Sequence, residues 1–325
     1  MLMNLNRDLE EVIVVSSELN FFVKNKEHIS TYYERDEKRL LGIFLAGEGY
    51  SIKPYSLGKY EVTQRLFSEI MGYNPSSFGE YFLSFFKNAK MRPVENVNWY
   101  DAVLFCNRLT ERFMGKTECC YEVSGIKYDE MGHISFMNVY WDKQKRGYRL
   151  PTEIEWEFAA RGGNPVVEDF CFAYSGIKQS ENIAFEFKKN ENEITTGHPK
   201  IDKNLSKVAW YADTKNSFEK RLACFALRKL TFGKYMRLGT HEVGLKKPNR
   251  LGIFDMSGNV WEWCFDETDM EPVHEKTKIK ERIMRGGGWP NHAYDCCISE
   301  RYSLPPHYYE KNGFSDVGFR VCRSV

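Results

Sequence analysis

Apolar residues recur at helical spacing in three stretches of the chain. In "NWYDAVLFCNRLTERF" (98–113), Ala102, Phe105, Cys106 and Leu109 share one face and the charges lie opposite, which predicts the clearest helix. "TQRLFSEIMG" (63–72) groups Leu66, Phe67 and Ile70 behind Thr63, a residue type that caps helix starts. "PTEIEWEFAARGG" (151–163) predicts a third helix, with Pro151 and Thr152 in its first turn and Gly162 and Gly163 at its end. "KPYSLGKYEVT" (53–63) alternates and is rich in Tyr and Val, so it reads as a strand. Further along, "IFDMSGNVWEWCFD" (253–266) is apolar around a Ser-Gly-Asn turn. "RIMRGGGW" (282–289) and "VGFRVCRSV" (317–325) look like buried strands on either side of a polar, aromatic loop.

Two regions break this texture. Residues 1–45 are charged and, over 6–40, without Gly or Pro. They predict a partly helical extension packed on a main domain that begins at residue 46, or an arm for a partner or a tether. Residues 164–250 are polar and irregular, with scattered aromatics such as Trp210 and Tyr211. Loops packed around short elements are expected there, because a structureless stretch of that length is rare inside a domain. Oxygen ligands are plentiful in it, so a structural calcium or magnesium ion would belong there. The pattern as a whole is α+β with much irregular loop structure and no internal repeat.

Composition narrows the function. With 325 residues the chain is long enough for a substantial core, and 15% aromatic content agrees. Its 46 basic and 45 acidic residues give no electrostatic reason to expect nucleic acid. The strongest apolar run, "EVIVV" (11–15), is far short of the ~20 residues of a spanning helix. Asp8, Glu10 and Glu11 interrupt any secretory apolar segment. Nine cysteines form no C-x-x-C pair, and the neighbours Cys119-Cys120 and Cys296-Cys297 are poorly placed to bridge each other. Free thiols are expected.

Six ordered blocks carry a family resemblance: "GKYEVT" (58–63), "RPVENVNWYDAVLFCNRL" (92–109), "YRLPTEIEWEFAARGG" (148–163), "NRLGIFDMSGNVWEW" (249–263), "RGGGW" (285–289) and "GFRV" (318–321). Together they resemble the formylglycine-generating-enzyme-like, or sulfatase-modifying factor, domain, which implies a C-type lectin fold across residues 46–325. Trp99, Trp156, Trp261 and Trp263 read as core anchors, Arg149 with Glu155 as a buried pair, and Asn259 as a tie for turn amides. Gly286 and Gly287 read as positions of close approach or positive φ.

The resemblance implies three branches. The oxidase branch binds Cu(I) between two thiolates. Laid on that pattern, Asn291 takes the first cysteine position and Cys296 the second, so the pair is broken. Cys297 points elsewhere as the neighbouring residue. The non-haem iron branch needs a His-rich helical domain, whereas the seven histidines here are scattered. His292 beside Asp295 suggests a general base, but no nucleophile accompanies them.

The third branch is the variable proteins of diversity-generating retroelements, treponemal ones among them, and it binds ligands without catalysis. Its diversified tract runs between "RGG" and "GFRV" around fixed Ala, Cys and Arg positions, here Ala293, Cys296 and Arg301. The implied ligand-binding positions are Pro290, Asn291, His292, Tyr294, Asp295, Cys297, Tyr302, Ser303, Leu304, His307, Tyr308, Tyr309, Phe314, Ser315 and Asp316. Tyrosines mixed with small polar residues are the composition of antibody-like contact loops. The expectation is a binder of a protein or cell-surface molecule, without a cofactor. It would work at a cell surface or after secretion, with a lipid anchor at a removed N-terminus. An oxidoreductase with an altered cysteine site is the alternative, and a scaffold subunit using residues 1–45 as its arm is a third.

Overall fold

A computed structural model describes residues 7–22, 43–44, 48–79, 88–163, 174–177, 204–212, 239–268, 280–309 and 316–325. In chain order its strands and helices are β1 (Glu11–Val15), β2 (Leu19–Phe22), β3 (Gly49–Ile52), β4 (Tyr55–Gly58), α1 (Gln64–Met71), α2 (Trp99–Phe113), β5 (Tyr121–Tyr128), β6 (Ile134–Trp141), β7 (Tyr148–Arg149), α3 (Glu153–Ala160), α4 (Leu205–Val208), β8 (Trp261–Glu267), β9 (Arg282–Arg285), β10 (Arg301–Leu304), β11 (Val317–Gly318) and β12 (Cys322–Ser324).

Two four-stranded sheets organise the chain, ordered β1-β4-β12-β7 and β10-β9-β8-β11. In the first, β12 lies between β4 and β7, with Cys322 opposite both Leu57 and Arg149. In the second, β11 runs parallel to β8 and the other pairs are antiparallel. β2 with β3 and β5 with β6 form separate two-stranded units.

The helix starts follow from side-chain chemistry. Thr63 caps α1 by accepting from the Leu66 amide, and Gly72 closes it at φ 85°. Asn98 and Asp101 form a reciprocal capping box on α2, as Thr152 and Glu155 do on α3. The apolar face predicted for α2 is buried: Phe105 stacks on Phe67 of α1 at 5.5 Å and meets Phe319 edge-on at 5.2 Å. Trp99, Trp156 and Trp263 are fully buried, and truncating side chains of this size costs about 3–5 kcal/mol each. Each indole N–H is satisfied, by the Cys264 carbonyl, the Glu262 carboxylate and the Val97 carbonyl respectively.

Several expectations change. The first 45 residues are not simply an appended helical piece. Their described part forms β1 and β2, and β1 pairs with β4 inside the first sheet, with Val12 opposite Leu57. Every second residue of "EVIVV" need not be polar when both faces are partly covered, so the run does not show the alternation that marks a half-buried strand. The strand expected over 53–63 shortens to β4, because Thr63 turns the chain into α1. Most of the 164–250 stretch, and with it the proposed calcium or magnesium site, lies outside the described residues. Among the described residues no group of three His, Cys, Asp or Glu side chains could hold a metal ion, and no helix is long and apolar enough to cross a membrane. The seven described cysteines are free thiols.

Candidate functional site

The loop between β9 and β11 begins on a rigid footing. Gly286 and Gly287 have φ of 99° and 73°, conformations that side-chain-bearing residues rarely adopt. A Cβ on Gly287 would stand 2.6 Å from the Asp295 carbonyl oxygen, and one on Gly288 would collide with the Asp316 carboxylate. Backbone thus packs directly on backbone at the base of the loop. The Trp289 amide donates to the Asn259 carbonyl at 2.8 Å, and its ring meets Phe78 edge-on at 5.4 Å.

Buried charges hold this base from below. Arg285 ion-pairs with Glu157 and, at 3.3 Å, with Glu153, and donates to the Ile298 carbonyl at 2.7 Å and the Ser299 carbonyl at 3.3 Å. Glu157 also pairs with Arg161 at 2.7 Å, and Glu153 with Arg301 at 2.5 Å. On the return path, Arg320 pairs with Glu262 at 2.5 Å, both fully buried. The expected Arg149–Glu155 pair is present at 2.7 Å. Breaking such a pair leaves an uncompensated buried charge, which costs about 3–5 kcal/mol. The loop's backbone is therefore fixed by residues outside the tract and by Arg301.

Within the tract, Ala293 and Cys296 are buried among Tyr174, Leu205 and Val208. His292 and Tyr302 are exposed, the latter at 54%; Pro290, Asp295, Ser303, His307, Tyr308, Tyr309 and Asp316 are half-buried. The Tyr302 ring lies 5.9 Å from Trp261. Ser303 donates to the Glu281 carboxylate at 2.7 Å. Burial holds the His307 imidazole below its ordinary pKa. Phe314 and Ser315 lie outside the described residues, as does the side chain of Tyr294.

Three proposed contact positions have buried or engaged side chains. Cys297 and Leu304 are buried, at 6% and 7% exposure. Leu304 turns into the main core because β10 alternates, sending Ser303 and Leu304 to opposite faces. Cys297 follows a 3₁₀ turn that carries it inward beside Tyr174. Asn291 is a structural tie: its Oδ1 accepts from Trp261 Nε1 at 2.9 Å and from the Gly288 amide at 2.8 Å, while its carbonyl accepts from the Ala212 amide at 2.8 Å.

That tie bears on copper. Asn291 offers an amide already engaged by two donors where the oxidase pattern has a thiolate. Burial pushes the Cys296 thiol well above its ordinary pKa, so the soft thiolate pair that Cu(I) selects is not met by these residues. The Asp295 carboxylate accepts from the His292 backbone amide at 3.0 Å, closing the turn.

One contact was invisible in the sequence. Tyr309 donates to Asp101, the capping residue of α2, and its ring stacks on His133 at 4.1 Å. Burial pushes the Asp101 carboxyl up, while the Tyr309 hydroxyl and the Asn98 amide draw it back. Nothing in the sequence joined Asp101 to a residue 208 positions away.

A mixed helix–sheet chain with a Gly-braced, ion-pair-supported loop before its last described strands defines the class. The chain belongs to the sulfatase-modifying factor enzyme 1-like domain family, whose model matches residues 21–325. Among curated relatives, the chaperone protein LppX of Paenibacillus barcinonensis is 32% identical over 279 residues, covering 84% of this chain and 81% of the relative. The inactive C-alpha-formylglycine-generating enzyme 2 of Mus musculus is 25% identical, covering 86% and 79% respectively. Among solved structures, Treponema denticola variable protein 1 superposes with TM-score 0.58 at 26% identity, covering 97% of this chain and 99% of that one.

Proposed function

We propose that this chain is a non-enzymatic binding protein on a C-type lectin fold, displaying diversified side chains from its 290–316 loop to a macromolecular ligand, a protein or a cell-surface molecule. The observation that carries the reading is the separation of frame from display. Gly286, Gly287, Gly288, Asn291, Ala293, Cys296 and Arg301 fix the backbone. His292, Tyr302, Ser303, His307, Tyr308 and Tyr309 reach the surface to differing degrees. An exposed side chain such as Tyr302 can change without unfolding the loop, while Ser303 and Tyr309 each lend the frame one side-chain hydrogen bond.

The likeness to a structure named a variable protein and the kinship with an enzyme named inactive support this reading. So does Asn291, which stands where oxidase chemistry would need sulfur. A binder of this kind works where its ligand is reachable, at a cell surface or after secretion. No nucleic acid partner is implied, since acidic and basic residues balance.

Sequencing this locus across strains tests the proposal. Changes should concentrate at the surface-reaching positions and spare Asn291, Cys297 and Leu304. A loop as constant as α2 would sink it.

A further inference from the structure

The β5–β6 hairpin buries one face and leaves its tip bare. Tyr121, Ile134 and Met137 turn into the main core. At the tip Tyr128 is 62% exposed and Met131 is 79% exposed. The turn between the strands is held by its own groups: Asp129 Oδ1 accepts from the Met131 and His133 amides at 2.9 and 2.8 Å, and the Asp129 amide donates to the His133 carbonyl at 2.8 Å. An apolar ring and a thioether held out on a preformed turn add little to folding. They are well placed for a contact, because little conformational freedom remains to be lost there.

Through Tyr309 this tip joins the 302–309 segment. His133 stacks on the Tyr309 ring, and Tyr73, itself 45% exposed, donates to the same Asp101 carboxylate at 3.4 Å. Tyr128 and Asp129 stand close enough to this group to act electrostatically on the Tyr73 and Tyr309 phenols. Charge divides the two halves of the surface. Residues 302–309 contain no Asp, Glu, Lys or Arg, whereas the tip carries the exposed Asp129 and Glu130 against one exposed ammonium, Lys127, which lies over the Phe136 ring at 5.6 Å. Asp129 Oδ2 also faces His133 Nδ1 at 3.4 Å, which leaves Glu130 as the more open carboxylate. Open tyrosine faces next to carboxylates suit an ammonium or guanidinium group. A cation over such a ring is attracted by its π face, and the carboxylates steer a cation and repel an anion.

We propose that the β5–β6 tip, with Tyr73 beside it, is a second contact area continuous with the 302–309 segment, and that it takes a lysine- or arginine-bearing segment of a protein partner. This area lies outside the diversified positions, so it gives every variant of the loop the same basic-side-chain subsite. The inference rests on the reading that the loop contacts a protein.

The test uses the full chain and short labelled peptides in which lysine or glutamate alternates with leucine, read by fluorescence anisotropy. The lysine peptide should bind and the glutamate peptide should not. Tyr128→Ala and Glu130→Lys should each weaken lysine-peptide binding by about three- to fivefold, and together by about tenfold, the equivalent of 1.4 kcal/mol. Glu48→Gln, at an exposed acid elsewhere, should leave it unchanged. Thermal melts check that the variants fold. Equal binding of both peptides, or equal losses from Glu48→Gln and the tip variants, overturns the inference. A loss on Tyr302→Ala with none on the tip variants overturns it too, while leaving the loop reading intact; indifference to all three substitutions removes both.

Discussion

Replacing Asn291 with alanine removes a side-chain oxygen that serves two donors. Trp261 Nε1, at 2.9 Å, belongs to a residue only 6% exposed, and the Gly288 amide, at 2.8 Å, belongs to a buried glycine. Alanine offers neither an acceptor, and neither donor has ready access to water. Leaving one buried donor unpaired costs about 1–3 kcal/mol. Two together give about 2–4 kcal/mol, since the loop can relax enough to recover part of one bond. The backbone bonds of residue 291 to Gly288 and Ala212 survive, so the loss is local. Asn291→Asp keeps the accepting oxygen and should cost less than about 1 kcal/mol. Urea unfolding followed by tryptophan fluorescence measures both variants against wild type, with unchanged slope confirming that the same unfolding is being compared. If Asn291→Ala falls within about 0.5 kcal/mol of wild type, the amide is no tie, and position 291 is as free to vary as its neighbours.

Arg285→Met should lower stability by about 3–5 kcal/mol, because Glu157 and Glu153 lose a buried counter-charge and two loop carbonyls lose a donor; urea midpoints read it. Gly287→Ala should destabilise by more than about 1 kcal/mol in the same assay, since φ 73° and the 2.6 Å approach to the Asp295 carbonyl both oppose a Cβ. Tyr302→Ala should leave stability within about 0.5 kcal/mol and weaken ligand binding instead. Asp255 is buried, and burial raises its pKa to about 6 from 3.8. A folded-state value above the unfolded one stabilises at low pH, and the benefit fades as pH rises from about 4 through 6. Asp255→Asn should therefore be more stable than wild type at pH 7, by up to about 3 kcal/mol at 1.36 kcal/mol per tenfold (6 − 3.8, times that factor). The gain should shrink toward pH 4. Asparagine also tolerates the φ of 57° at this position. Equal stabilities at pH 7 and pH 4 would refute the assignment.

Local chemistry was readable from the sequence where it acts over a few residues. Thr63 and Thr152 announced the starts of their helices, and the Ala102–Leu109 face announced what α2 buries. Gly286 and Gly287 announced positive φ, and Arg149 with Glu155 an ion pair six residues apart. Long-range placement was not readable. β1 is held by β4, 45 or so residues away, and no local pattern records that choice. The loop side chains could be sorted by chemistry but not by direction. Leu304 and Ser303 are neighbours of opposite burial, and Asn291 resembles a surface residue until Trp261 is placed above it. Tyr309 likewise needed the fold to bring Asp101 to it.

The strand that follows the 290–316 loop is an interior one. β12 is flanked by β4 and β7, Phe319 seats on α1 and α2, and Arg320 neutralises Glu262 in the interior. A chain cut short within the loop would lose all three at once and leave β7 separated from β4 in the first sheet. Such a chain should fail to fold, which a thermal melt of a truncated variant would read. Under the proposed reading, the place of a varying loop ahead of this strand makes folding itself a proofreading step, passing only chains read through to β12.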